Sequence, residues 1–229
     1  GVGVSFRVAG LPLALAGTAA ALWLAAGLFG REALAHAPHK MRYFFFLSAA
    51  ESAALGAFLA ADFFTLLLFS GALGTAFWVL TGHTETPAAH RAAVRFLAHA
   101  AGGTFSAAAG ALLLAQQFGT LRFAQLQVIV PLALTDTAGT VQLYAAGALL
   151  MLGFSAMAGV FPFCSWLPGA CGQAPSPAAA LLAGVQRTAG LFGCVSVCTA
   201  LFRQERYFGA ALLVWGLAAL AACAFAALR

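Results

Sequence analysis

The 229 residues are 63% hydrophobic and 7% charged, against roughly a quarter charged in a soluble domain, so the chain cannot cover its own surface with polar groups. It reads as an integral membrane protein. The formal charge of +5 comes from 11 basic and 6 acidic residues. They are spread thinly, with no basic cluster to hold a nucleic-acid backbone, which excludes nucleic acid as a partner. No positively charged leader with a cleavage site opens the sequence, which begins at Gly1. It is expected to be a fragment of a longer precursor or a trimmed start.

The apolar pattern predicts an all-α, polytopic helical bundle forming a single transmembrane domain over residues 1–229, with about seven spans. The first covers residues 8–29, with Pro12 tolerated near its start. About 20 helical residues cross a hydrocarbon core of roughly 30 Å. Residues 30–42, GREALAHAPHKMR, are read as a polar loop carrying Arg31, Lys40 and Arg42. Residues 43–61 form a second span, and Asp62 marks a tight turn and a cap for the third, 63–81. After the loop GHTETPAAH, Thr86 and Pro87 make a helix start, and a fourth span follows over 91–117. Residues 118–136 form a looser segment, in which LQVIVPLAL is too short to cross and is expected at the surface or partly inserted. The fifth, sixth and seventh spans are 137–158, 178–200 and 207–228.

Between the fifth and sixth spans lie Pro162, Pro168, Pro175 and Pro177, with Gly159, Gly169 and Gly172. Proline removes a backbone donor and clashes with the preceding helical turn, so an apolar helix breaks here and restarts. Ser176 is expected to cap the restart, with Pro177 at the first helical position. Loop charges divide into Arg31, Lys40, Arg42, Arg91, Arg95 and Arg229 on one side, and Arg7, Arg122, Arg203 and Arg206 on the other. That bias weakly favours the first side as cytoplasmic. Runs such as LSAAESAALGAF and AAGGTFSAAAGAL let helices approach closely. They serve either a compact bundle or docking to other membrane subunits.

The cysteines, including Cys194 and Cys198 on one helix face, have no nearby histidines and read as buried small residues rather than metal ligands. No glycine-rich fingerprint or ligand spacing is present. No cofactor or metal is expected in this chain, so quinone, flavin or iron–sulfur chemistry would belong to partner subunits. Ionisable groups inside a membrane are functional candidates. Glu51, His99, Arg187 and Asp62 are the candidates here. Glu51 and Arg187 lie at comparable depth and would pair within the bundle or face a neighbouring subunit. Glu51 and His99 are the alternative members of a proton path. No catalytic residue is identified.

The segment FPFCSWLPGACGQAPSPAAALLAG resembles the signature of the antiporter-like subunits of respiratory complex I, Mrp-type cation/proton antiporters and energy-converting membrane-bound hydrogenases. The usual form is K-x-P-x-F-P-F-H-x-W-L-P-D-A-H-x-x-A-P-T-P-V-S-A-L-L-A-G, which this chain meets at Pro162, Trp166, Pro168, Pro175 and Pro177. The stretches YFFFLSAAESAALGAFLAADFFTLLLF and TPAAHRAAVRFLAHAAGGTFSAAAGALLLAQQFGTLRF agree with other helices of the family, and the opening VSFRVAGLPLALAGTAAALWLAAGLF with its third.

The resemblance implies three charged positions that this chain has lost. Gly71 stands where the family carries a glutamate, Met157 where it carries the lysine of the broken helix, and Thr188 where it carries a second lysine; Gly159 replaces a proline. Cys164, Gly169 and Cys171 replace the histidine, aspartate and histidine of the signature. A glutamate–lysine pair works because each charge shifts the other's pKa, which neutral residues cannot do. Family members carry two inverted five-helix repeats, of which this chain would match the first. The resemblance therefore implies an accessory, proton-inactive subunit of a bacterial or archaeal cytoplasmic membrane, or of an organellar inner membrane. It would sit among lipids and other membrane subunits of a hetero-oligomeric complex, intact antiporter-like subunits included. The rival expectation is a translocating subunit using Glu51 and His99, as a homo-oligomer supplying both repeats.

Overall fold

The computed structural model describes residues 3–8, 10–35, 39–133, 137–203 and 205–227, and the structure of these residues is almost wholly helical. Asp136 and Arg229 lie outside them. Helix α1 (Gly10–Ala33) is tied to α2 (Lys40–Phe58) by the Trp23 indole, which donates to the Leu47 carbonyl at 3.0 Å. The expected polar loop at 30–42 is shorter than the sequence suggested. Arg31 sits in the last turn of α1, where a cation suits the helix dipole, and Lys40 and Arg42 open α2. Arg42 reaches to the Glu85 carboxylate (2.7 Å) and the His83 carbonyl (3.4 Å). That joins the start of α2 to the loop after α3 (Phe63–Thr81).

Helix α4 (Pro87–Phe118) starts as its sequence predicts, with Thr86 accepting from the Ala89 amide at 3.1 Å and Pro87 in the first turn. It ends at Gly119, whose φ of 67° is the left-handed conformation glycine adopts most readily. The segment read as loose contains a regular helix, α5 (Phe123–Ala133). Its 11 residues reach about 16 Å, too short to cross. It buries Leu126 and Val130 and bonds through Gln127 to the Thr199 carbonyl. Pro131 lies near its C-terminus, where only one internal hydrogen bond is lost.

Helix α6 (Thr137–Ala158) precedes the break, followed by a 3₁₀ turn (Phe163–Trp166), α7 (Leu167–Gln173), α8 (Ser176–Leu181), a π-helical turn (Leu182–Gln186), α9 (Arg187–Leu201) and α10 (Arg206–Ala227). Among the described residues five segments are long and apolar enough to cross a membrane: Gly10–Ala33, Phe63–Thr81, Pro87–Phe118, Gly139–Gln173 with the break inside it, and Ser176–Leu201. Within α10, Phe208–Ala221 is an apolar stretch, and α2 has the length but carries Lys40, Arg42 and Glu51.

The core lies where α3, α4, α6 and α9 meet. Along the α4–α6 crossing a Cβ on Gly153 would come within 2.5 Å of the Gly103 carbonyl, and one on Gly110 within 2.7 Å of the Ala146 carbonyl. Only glycine lets these backbones touch. One end of the bundle is knitted by main-chain bonds among three segments: Arg7 to Leu59, Ala61 to Ser5, Phe63 to Leu121 and Phe123 to Ala61.

Candidate functional site: the broken helix and the positions around it

Helix α6 ends in a fully bonded C-terminal motif. Gly159 (φ 65°) donates to the Ala156 carbonyl at 3.3 Å, and Val160 to the Ser155 carbonyl at 3.0 Å, the two bonds of a Schellman cap. Two indoles add donors at the break. Trp166, 1% exposed, donates to Ala156 O at 3.1 Å and sits edge-on to Phe96; Trp215 on α10 donates to Phe161 O at 2.8 Å. Irregular backbone at membrane depth survives only where protein satisfies it. This answers why the break tolerates apolar surroundings.

Beyond the break, Pro168 lies in the first turn of α7 and Pro175 is the N-cap residue of α8. Ser176 does not cap the restart. The helix begins one residue earlier than expected, so Ser176 and Pro177 fill its first turn, with no side-chain cap bond and Ala179 N bonding to the Pro175 carbonyl at 2.8 Å. Pro177 packs beside Gly30 of α1.

The positions where the resemblance expects charge lie on three helices, α3, α6 and α9. Gly71 on α3 faces the Thr104 methyl group of α4; a Cβ there would meet it at 3.7 Å. The neighbouring Gly103 contacts Met157, which is 2% exposed. Ala158, next to Met157, lies against Gly190 of α9, two residues past Thr188. Thr188 turns its hydroxyl back to the Gly184 carbonyl at 2.6 Å. Gly71 thus faces α4, Met157 packs on α4, and Thr188 bonds within its own helix.

The ionisable candidates lie elsewhere. Asp62, 3% exposed, caps α3: one carboxylate oxygen accepts from Thr65 N at 2.6 Å, the other from the Thr65 hydroxyl at 2.9 Å and from Ser5. Its partners are hydroxyls and an amide, which fits a structural cap. His99 on α4 is half-buried; its Nδ1 donates to Arg95 O at 2.9 Å and its Nε2 accepts from Ser165 of the 3₁₀ turn at 3.2 Å. Glu51 and Arg187 are half-buried and form no ion pair with each other, because the salt bridge among the described residues is Arg42–Glu85. Arg42 holds the Glu85 carboxyl below the usual carboxylate range through a hydrogen bond and its charge. Helices α2 and α4, which carry Glu51 and His99, pack on α3.

Sequence reasoning passed over two buried polar residues. The Ser70 hydroxyl (4% exposed) and Gln186 Oε1 (2% exposed) have no hydrogen-bond partner among the described residues. Ser70 adjoins Gly71, and Gln186 ends the π turn just before Thr188. The signal was available, a polar residue within an apolar span beside an expected charge position. Among the described residues no group of histidine, cysteine, aspartate and glutamate could hold a metal ion.

Fold and site define a class: an integral membrane helical bundle with a covered helix break, of the antiporter-like kind. The chain belongs to the family described as NADH:quinone oxidoreductase/Mrp antiporter, TM, which matches residues 60–229. Among its relatives are a Na(+)/H(+) antiporter subunit of Bacillus subtilis, 27% identical over 198 residues (86% of this chain, 39% of the relative), and hydrogenase-4 component B of Escherichia coli, 35% identical over 133 residues (58% and 18%). A third is NAD(P)H-quinone oxidoreductase chain 4-2 of Synechocystis sp., 28% identical over 179 residues (77% and 31%). A chain in the solved structure of an archaeal respiratory membrane complex, the membrane-bound sulfane sulfur reductase, shares the fold at a TM-score of 0.83. Its identity is 20%, with 93% of this chain and 42% of that chain covered. The chain spans about two fifths or less of the length of these relatives.

Proposed function

We propose that this chain is a proton-inactive accessory subunit of a multisubunit membrane complex, redox-driven or ion-translocating, in a bacterial or archaeal membrane. It supplies scaffold and subunit contacts beside intact antiporter-like subunits. The observation that carries the reading is that Gly71, Met157 and Thr188, the positions where the resemblance expects charge, hold no group that exchanges a proton. The names of the relatives and of the solved complex support membrane subunits as partners. On this reading quinone, flavin or iron–sulfur groups are held by those partners.

Relocation of the proton machinery to Glu51 and His99 has less support. Isolated groups with no chain of titratable partners between them do not bridge about 30 Å of hydrocarbon, and an arginine at position 187 hardly releases its proton. The test is the number of protons moved per turnover by the purified, reconstituted complex carrying Glu51→Gln with His99→Ala. An unchanged number, with assembly intact by native mass spectrometry, is the expected result. Loss of a whole proton step with assembly intact would overturn the reading, as would a pure homo-oligomer carrying the full transport activity.

A further inference from the structure

We propose that the outer face of α4 and α6 holds one anionic phospholipid, its phosphate on Arg91 and Arg95 and one acyl chain in the groove below them. Arg91, Arg95, Gly102 and Ser106 recur at helical spacing on α4 and share one face, with His99 at its edge. The two arginines are exposed, and neither is ion-paired among the described residues. The nearest acid along the chain, Glu85, is already taken by Arg42 at 2.7 Å. Directly below them a groove of about 420 Å³ opens between the helices, lined by His99, Gly102 and Ser106 on α4, Leu152 and Ala156 on α6, and Phe163 of the 3₁₀ turn. Its floor is apolar, and the α4 surface continuing past it carries Phe105 (75% exposed) and Leu112 (60%).

Depth supports a lipid over a soluble anion. Helix α4 has 32 residues and is about 48 Å long, well over a hydrocarbon core of roughly 30 Å. With Gln116 and Gln117 at its far end, roughly 20 residues of hydrocarbon span reach back to about Phe96. Arg91 and Arg95 then stand at headgroup level. Helical side chains lean toward the N-terminus, which aims both guanidiniums outward, away from the groove. Charge, level and groove together fit a negatively charged headgroup with its chain directed inward. His99 and Ser165 are already bonded to each other and form the polar shoulder between the two parts.

The test is photo-crosslinking of the protein, with whatever subunits accompany it, in vesicles containing phosphatidylglycerol with a diazirine in one acyl chain. Phosphatidylcholine with the same chain is the comparison. Peptide mass spectrometry is expected to place the adducts in residues 98–106 and 152–163, with the anionic lipid favoured roughly tenfold. R91Q with R95Q should bring labelling by phosphatidylglycerol down to the phosphatidylcholine level. Gly102→Leu fills the groove and should lower labelling by both lipids; a Cβ at Gly102 meets nothing within 4 Å, so this variant is expected to fold. Equal labelling by the two lipids, or no effect of the double arginine change, would overturn the proposal. So would absence of label because a partner helix covers the face, or loss of the preference on adding inorganic phosphate, the mark of a free-anion site.

Discussion

Helix α6 is held in two different ways along its length. In its middle it lies against α4 with backbone touching backbone, at Gly153 on Gly103 and Ala146 on Gly110. At its end it lies as closely on α9, Ala158 on Gly190, and is held in addition by donors, the amides of Gly159 and Val160 and the indoles of Trp166 and Trp215. The first mode works by excluding atoms: dispersion and close approach hold helices together where lipid removes the hydrophobic drive between them. The second works by giving carbonyls at the break protein donors where no water can serve them. Met157 lies between the two, and this end of α6 keeps its packing and hydrogen bonds with an uncharged side chain there.

The crossing should be the more fragile of the two. Gly153→Val would place carbon within 2.5 Å of the Gly103 carbonyl and 2.7 Å of the Ala107 amide, with no flexible side chain to yield. The two helices would have to separate along their whole contact. The expected loss is about 4 kcal/mol or more, at the upper end for single substitutions. It would be read as failure to accumulate in the membrane or a large fall in the detergent melting temperature. Gly102→Val, one residue from the seam on open surface, serves as the control and should lower it little. Similar losses for both variants would mean that the seam is not what holds α6.

Restoring charge tests whether Gly71 and Met157 stand close enough to interact. Met157→Lys buries an ammonium beside Gly103 and should cost about 3 kcal/mol. Gly71→Glu alone should cost a comparable amount, since its carboxylate gains no cation. If the two positions stand at one junction, the double variant should be less destabilised than the sum of the singles by about 1 kcal/mol or more. Strict additivity in melting temperatures would show them too far apart to interact.

The two modes also differ in how far they could be read from residues alone. The break is written locally. Pro162, Pro168, Pro175 and Pro177 with Gly159 dictate where a helix stops, whatever surrounds it, and Asp62, Thr86 and Pro87 mark starts in the same way. The register of the restart was missed because local preference makes Ser176 the better N-cap, yet the helix starts from Pro175 with Ser176 in its first turn. The seam is not local: Gly103 and Gly153 announce a close approach without naming a partner 50 residues away. The sequence could not choose between a Glu51–Arg187 pair, which does not form among the described residues, and a neighbour-facing placement for the same reason. Depth along a helix can be counted, but the rotation that aims a side chain is set by neighbours.

The weakest of the three tests concerns the covered end. Trp166→Phe keeps an aromatic ring against Phe96 but removes the donor to Ala156 O. That carbonyl still accepts from Gly159 N at 3.3 Å, so it is not left without a partner. The cost should be one modest hydrogen bond plus the space of the lost ring, about 1–3 kcal/mol. Trp215→Phe should cost less. Trp215 is only half-buried, and α10 exposes Leu213, Val214 and Leu217 around it, so little packing is lost with its indole N–H. Melting temperatures of the two variants in one detergent order the effects. A larger fall for Trp215→Phe would mean that the Phe161 carbonyl, not the Ala156 carbonyl, is the one whose partner holds the break closed.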